Sequence, residues 1–118
     1  MREIVCLALT IFLESRGEPI EGQRMVGEVI LNRVASGRYP DTICEVVNQP
    51  KQFATHADVT YTDWEIRNAA RIAIDLYRNH KPDPEVLWFF DPEEADPAWA
   101  DELVPVAVVG NHLFLRKP

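Results

Sequence analysis

This sequence holds few of the residues from which metal centres, thiol chemistry or nucleic-acid grooves are built. Its only cysteines, Cys6 and Cys44, form no C-x-x-C pair and are too few for a disulfide framework. They bridge only if the first and third helices bring their backbones within reach, so buried free thiols are the default expectation. The histidines, His56, His80 and His112, lack ligand spacing, and His56-Ala57-Asp58 is too short a pattern to make a site. No metal and no cofactor is therefore expected. A basic stripe is missing too. The formal net charge is -7, and residues 91–102 carry six acids (Asp91, Glu93, Glu94, Asp96, Asp101, Glu102) without one base, which leaves the rest of the chain near neutrality. Such a distribution repels phosphate backbones and argues against nucleic-acid binding, and the acidic stretch reads as a solvated loop. Long apolar runs are absent as well. The run from Ile4 to Leu13 is broken by Thr10 and is too short to cross a bilayer, so no membrane partner is expected. Arg2 ahead of it imitates a secretory signal, yet Glu3 adds a negative charge and no small-x-small cleavage pattern follows, so no signal peptide is expected. Repeats, linkers and low-complexity segments are lacking. The 118 residues are read as one domain, 1-118, with a single modest core, and as a monomer.

What the sequence does hold is four helical patterns followed by three strands, an α+β arrangement that is helix-rich with a small antiparallel β-sheet near the C-terminus. The first helix is expected from about Arg2 to Arg16 and the second, nearly surrounded by the others, from about Glu21 to Ser36, with Val26, Val29, Ile30 and Val34 inward. Asp41 is expected to cap a short third helix that Pro50 stops. Thr62-Asp63-Trp64-Glu65 reads as a capping box opening a fourth helix to about Asn79, with Ile66, Ala69, Ala70, Ala73, Leu76 and Tyr77 inward. Val86 to Phe90, Val104 to Val109 and His112 to Arg116 have strand character, and Gly110-Asn111 between the last two is a hairpin signal.

The residue that breaks its own pattern is Glu14. It lies three residues after Ile11 and seven after Leu7, beside the apolar stripe Ile4, Leu7, Ala8, Ile11, Ser15. Gly17 and Pro19 end the helix there, so a carboxylate sits in the last turn at the rim of the core. Burial without a cation fixed against it raises a carboxyl above its ordinary range and lets it donate a proton near neutrality. The competing reading is that Glu14 pairs with Arg16 or braces a turn. Asn32 and Arg33 put polar groups into the second helix, where they either brace the loop that holds Glu14 or reach solvent at the helix end. Gln52 and Phe53 supply an amide and an aromatic ring, the pair a carbohydrate groove uses, although loops carry such residues for packing as well.

The wider wording resembles the SleB-like cell-wall hydrolase family, known from spore-cortex-lytic enzymes and phage lysis proteins. The resemblance runs through Leu7-Ala8, Glu14-Ser15-Arg16-Gly17-Glu18-Pro19, Glu21-Gly22-Gln23, Val29-Ile30-Leu31-Asn32-Arg33-Val34, Tyr39-Pro40-Asp41-Thr42-Ile43-Cys44, Gln52-Phe53, Leu87-Trp88-Phe89-Phe90 and Gly110-Asn111-His112-Leu113-Phe114. No single piece is specific; the ordered set, from about Ile4 to Arg116, is. Ser15 stands where an Ala commonly follows the glutamate, and Ala54 stands where a Ser often follows Phe53.

The resemblance implies a lysozyme-superfamily-like fold that cleaves peptidoglycan glycan strands between N-acetylmuramic acid and N-acetylglucosamine, usually as a lytic transglycosylase. Glu14 matches the catalytic glutamate. Gln52, Phe53, Trp88 and His112 become candidate substrate contacts, and Arg16, Asn32, Arg33 and Asn111 candidate supports of the site. Peptidoglycan is the expected partner and the cell wall or periplasm the expected place of action, with export left to a lysis partner or to prior processing. Whether a second carboxylate completes a hydrolytic pair stays open: Glu18 and Glu21 read as solvent-facing, and Asp58 and Asp63 as distant. A single-acid scheme yielding 1,6-anhydromuramyl ends is preferred, against a hydrolytic muramidase or a non-catalytic glycan-binding module. An amidase or peptidase is disfavoured for want of a metal or an activated nucleophile.

Overall fold

The computed structural model describes residues 1–50, 52–53 and 62–118. His56, Asp58 and Ala54 lie outside them. The elements are α1 (Arg2–Ser15), α2 (Ile20–Ala35), α3 (Ile43–Val47), α4 (Asp63–Asn79), β1 (Val86–Phe90), a 3-10 turn (Ala98–Glu102), β2 (Val104–Val109) and β3 (His112–Arg116). Helix α2 packs against α1, α3, α4 and β1, the central position its apolar period implies. Leu7 and Ile11 of α1, Val26 and Ile30 of α2, Val46 of α3, Ala73 and Leu76 of α4 and Phe114 of β3 meet in one core. Each large apolar side chain buried there contributes about 1.5–3 kcal/mol relative to exposure. None of the helices among the described residues is long and apolar enough to cross a membrane.

Local chemistry sets the helix ends. The capping box at Thr62 and Glu65 forms as its wording predicts. In α3 the cap is Thr42 and not Asp41: the Thr42 hydroxyl accepts from the Glu45 N–H at 3.2 Å, and Asp41 stays exposed one residue too early. Glu3 of α1 takes the next orphan donors of α3, the N–H groups of Ile43 (2.6 Å) and Cys44 (3.4 Å). Beside that contact Cys6 and Cys44 are joined in a disulfide across a Cα–Cα distance of 5.4 Å, so the expectation of free thiols is corrected. On α4 the inward stripe is Ala69, Ile72, Ala73 and Leu76, whereas Tyr77, eight residues past Ala69, has rotated into solvent.

The sheet is antiparallel in the order β1-β3-β2, with β3 in the middle. Both ladders are irregular near Leu115, which is buried like Phe114 although its neighbour in sequence. Gly110 opens the β2–β3 turn at φ 58°, and a side chain there would also collide with the Glu18 carboxylate and Pro19. The sheet leans its β1 edge on α2 and its hairpin on the α1–α2 turn, and this placement creates the cleft.

Candidate active site

The last turn of α1 presents Leu13 and half-buried Glu14 to a cleft of about 340 Å³. Arg33, Gln52, Phe53, Phe89, Phe90, Asp91, Glu94 and His112 line the rest of it. Helix α1 reaches this point because Ser15, fully buried, turns its hydroxyl back to the Ile11 carbonyl. Gly17 then takes φ 81° and the chain breaks toward α2.

Arg33 holds the floor. Its Nε donates to the Leu87 carbonyl at 2.8 Å and its Nη1 to Gln52 Oε1 at 3.3 Å, while the guanidinium lies over the rings of Tyr39 (4.7 Å) and Phe53 (5.1 Å). Burial pushes its pKa down from the usual arginine value, and charge at Tyr39 and Glu14 pulls in the opposite direction. Glu14 is therefore not an acid remote from cations, as its sequence suggests. Coulomb attraction is mutual, so Arg33 opposes the neutralisation of Glu14 that burial alone favours.

The printed hydrogen bonds of Asn32 and Arg33 run to β1 and its approach, and Arg33 shares the cleft with Glu14. Asn32 donates to the Val86 carbonyl (2.9 Å), accepts from the Asp83 N–H (2.8 Å) and meets the His80 ring (2.9 Å). Together the two residues fasten β1 and the segment before it to α2. Their polar groups are buried because the strand brings carbonyls to meet them.

Of the residues singled out in the sequence, the structure brings Glu14, Arg33, Gln52, Phe53 and His112 to one cleft and places Arg16, Asn32, Trp88 and Asn111 elsewhere. Arg16 turns to α4, where Nε donates to Glu65 at 2.6 Å. That charge-assisted hydrogen bond holds the Glu65 carboxyl below the usual range. Trp88, on the opposite face of β1 from Phe89, lies under Arg38 and near Trp99. Asn111 gives its N–H (2.8 Å) and its side-chain amide (2.9 Å) to Glu18. Glu18 is thus not solvent-facing: its side chain is only 10% exposed, and it clamps the hairpin to the α1–α2 turn. Asp63 opens α4 exposed to solvent.

Asp91 and Glu94 read in the sequence as part of a solvated acidic loop and not as cleft residues, because an acidic run after a strand carries no sign of facing a site. The available signal was position: Asp91 directly follows the strand that walls the cleft. Among the described residues no three His, Cys, Asp or Glu side chains converge as metal ligands. A larger groove, about 390 Å³, lies on the other side of the α1 end between Phe12, Arg16, Ile20, Gln23, Trp64 and Asn68. Its Arg16 and Glu65 are already paired with each other.

This geometry has close counterparts. The catalytic domain of the germination-specific lytic transglycosylase SleB from Bacillus anthracis superposes with a TM-score of 0.81 at 30% identity, covering 98% of this chain and 95% of that one. The catalytic domain of Bacillus cereus SleB does so at 0.80 and 30%, covering 97% and 89%. The spore cortex-lytic enzyme of Oceanobacillus iheyensis is 34% identical over 97% of this chain and 41% of its own length. That of Bacillus subtilis is 31% identical over 95% and 37%. The chain thus spans about two fifths of the length of these curated relatives. A profile of the cell wall hydrolase family matches residues 17–115, beginning just after the turn that carries Glu14. On the strength of that match and of the shared fold, the chain belongs to the cell wall hydrolase family.

Proposed function

We propose that this domain cleaves the glycan strand of peptidoglycan between N-acetylmuramic acid and N-acetylglucosamine as a lytic transglycosylase, acting at the cell wall as a monomer. The observation that carries the reading is a half-buried carboxyl, Glu14, at a helix end in a polar cleft walled by Phe53, Phe89 and Phe90, in a fold shared with a solved lytic transglycosylase domain. Aromatic faces and edge hydroxyl partners suit a pyranose. Glu14 gives its proton to the glycosidic oxygen as the C1–O bond breaks and positive charge develops on the muramyl ring. The resulting carboxylate then takes the proton of the C6 hydroxyl while O6 bonds to C1, leaving a 1,6-anhydro end and Glu14 reprotonated. Burial favours the acid form and Arg33 the carboxylate, and that opposition suits a group that must release and recover one proton.

A second reading is favoured by one observation: Asp91 and Glu94 share the cleft, so a water-activating carboxylate is within the same walls and a hydrolytic muramidase is the alternative. Incubation of the protein with purified peptidoglycan and mass analysis of the released muropeptides separates them. Anhydromuramyl ends support the first reading, and reducing ends the second. Wall clearing undiminished in Glu14→Gln would remove Glu14 from either mechanism.

A further inference from the structure

The scheme above leaves one buried titratable side chain of the cleft without a task. His112, the first residue of β3, lines the cleft with Glu14 yet is only 9% exposed. Its ring is held edge-on between Phe89 (5.2 Å between centroids) and Phe114 (6.1 Å). Its Nδ1 is shut away from solvent and makes no hydrogen bond among the described residues; Glu18 Oε1 lies 3.8 Å from it. Glu18 in turn is fixed by both donors of Asn111, in the same hairpin turn that delivers His112. Gly110 lets that turn approach so closely.

We infer that Glu18 and His112 form a carboxylate–imidazole pair that holds His112 as a hydrogen-bond acceptor for a hydroxyl of the sugar bound under Glu14, an inference that rests on the glycan-cleaving reading. The buried Nδ1 faces an acceptor-only carboxylate, so it carries the proton, and Nε2 is left as the lone-pair nitrogen available to the cleft. Glu18 is a positioning residue: it fixes the tautomer and, through Asn111, the place of the ring, much as an outer carboxylate orients a metal-bound imidazole. Asn111 belongs to the site through this pair even though it does not line the cleft. Among the described residues, the other charged groups lining the cleft with His112 are Glu14 from α1, Arg33 from α2, and Asp91 and Glu94 after β1. Glu18 is the one seated at Nδ1.

The test uses the whole chain with soluble glycan strands, together with ¹⁵N spectra of the His112 ring. His112→Phe keeps the aromatic packing and removes both nitrogens, and is expected to lower kcat/KM by about 10- to 100-fold without moving the thermal midpoint. His112→Gln, which returns an acceptor near the Nε2 position, is expected to recover part of the loss. In the wild type the Nδ1–H tautomer is expected. In the isosteric Glu18→Gln the preference for the Nδ1–H tautomer is expected to fall. Wild-type kcat/KM in His112→Phe, or an Nε2–H tautomer in the wild type that Glu18→Gln leaves unchanged, would overturn the pair. Should His112→Phe fail to fold, His112→Gln and the wild-type spectra decide. Absence of glycan cleavage by the wild type, with the tautomer and its response to Glu18→Gln as expected, would sink the enzymatic reading and leave the pair standing.

Discussion

Two concavities flank the end of α1, and the smaller one gathers the titratable side chains on which the proposed reaction rests. The larger groove offers an exposed Trp64 and more apolar surface, but its charges are spent on each other in the Arg16–Glu65 pair. The smaller cleft collects Glu14, Arg33, Asp91, Glu94 and His112 between aromatic walls. Volume alone would select the other side. Convergence of titratable side chains between aromatic faces, more than volume, is what marks a candidate active cleft off from a crevice between packed elements.

The sharpest way to break this contrast is Glu14→Gln, expected to reduce glycan cleavage by about 10²–10⁴-fold while leaving the folded spectrum intact, as read from muropeptide release and circular dichroism. Next comes the far end of α1. Replacing Cys6 and Cys44 by Ser removes a link spanning 38 residues, worth about 4 kcal/mol in the chain-entropy picture. Denaturant midpoints should fall accordingly, with the activity of the remaining folded protein unchanged. Arg33→Met should cost about 2–3 kcal/mol through the unsatisfied Leu87 carbonyl, and should impair cleavage beyond what the lost stability explains.

The smallest effects belong to the larger groove. Trp64→Ala and Arg16→Ala should leave cleavage within about twofold, as expected for surface positions away from the reacting groups. Arg16→Ala should also bring the Glu65 carboxyl back up toward its ordinary range. Because Glu65 is depressed in the folded state, whatever the pair adds to stability is present above the unfolded carboxylate value and is lost as pH falls through the folded one. The pair is exposed, so the midpoint of unfolding should scarcely respond to that titration.

Short-range pattern carried much of the molecule. The helical period and the Thr62 capping box placed α4, the apolar, aromatic run Val86–Phe90 and the Gly110 turn placed the sheet, and the carboxylate beside the Leu7–Ile11 stripe pointed to the cleft. The remainder depends on partners remote in sequence. Arg33 reads as an interruption of a helix until β1, 54 residues on, brings the Leu87 carbonyl to it. Trp88 shares its segment with Phe89, yet the two-residue alternation of a strand sends the pair to opposite faces. The bridge between Cys6 and Cys44 follows from the docking of α3 on α1, which spacing does not encode.

The grip of Glu18 on Asn111 bears on how this scaffold tolerates change. Because the carboxylate accepts from both the main chain and the side chain of one tip residue, a single insertion between Gly110 and Asn111 would unfasten the hairpin and tilt one bank of the trench away from the other. Length variation should therefore be refused at the two-residue tip, where loop and helix are effectively one joint.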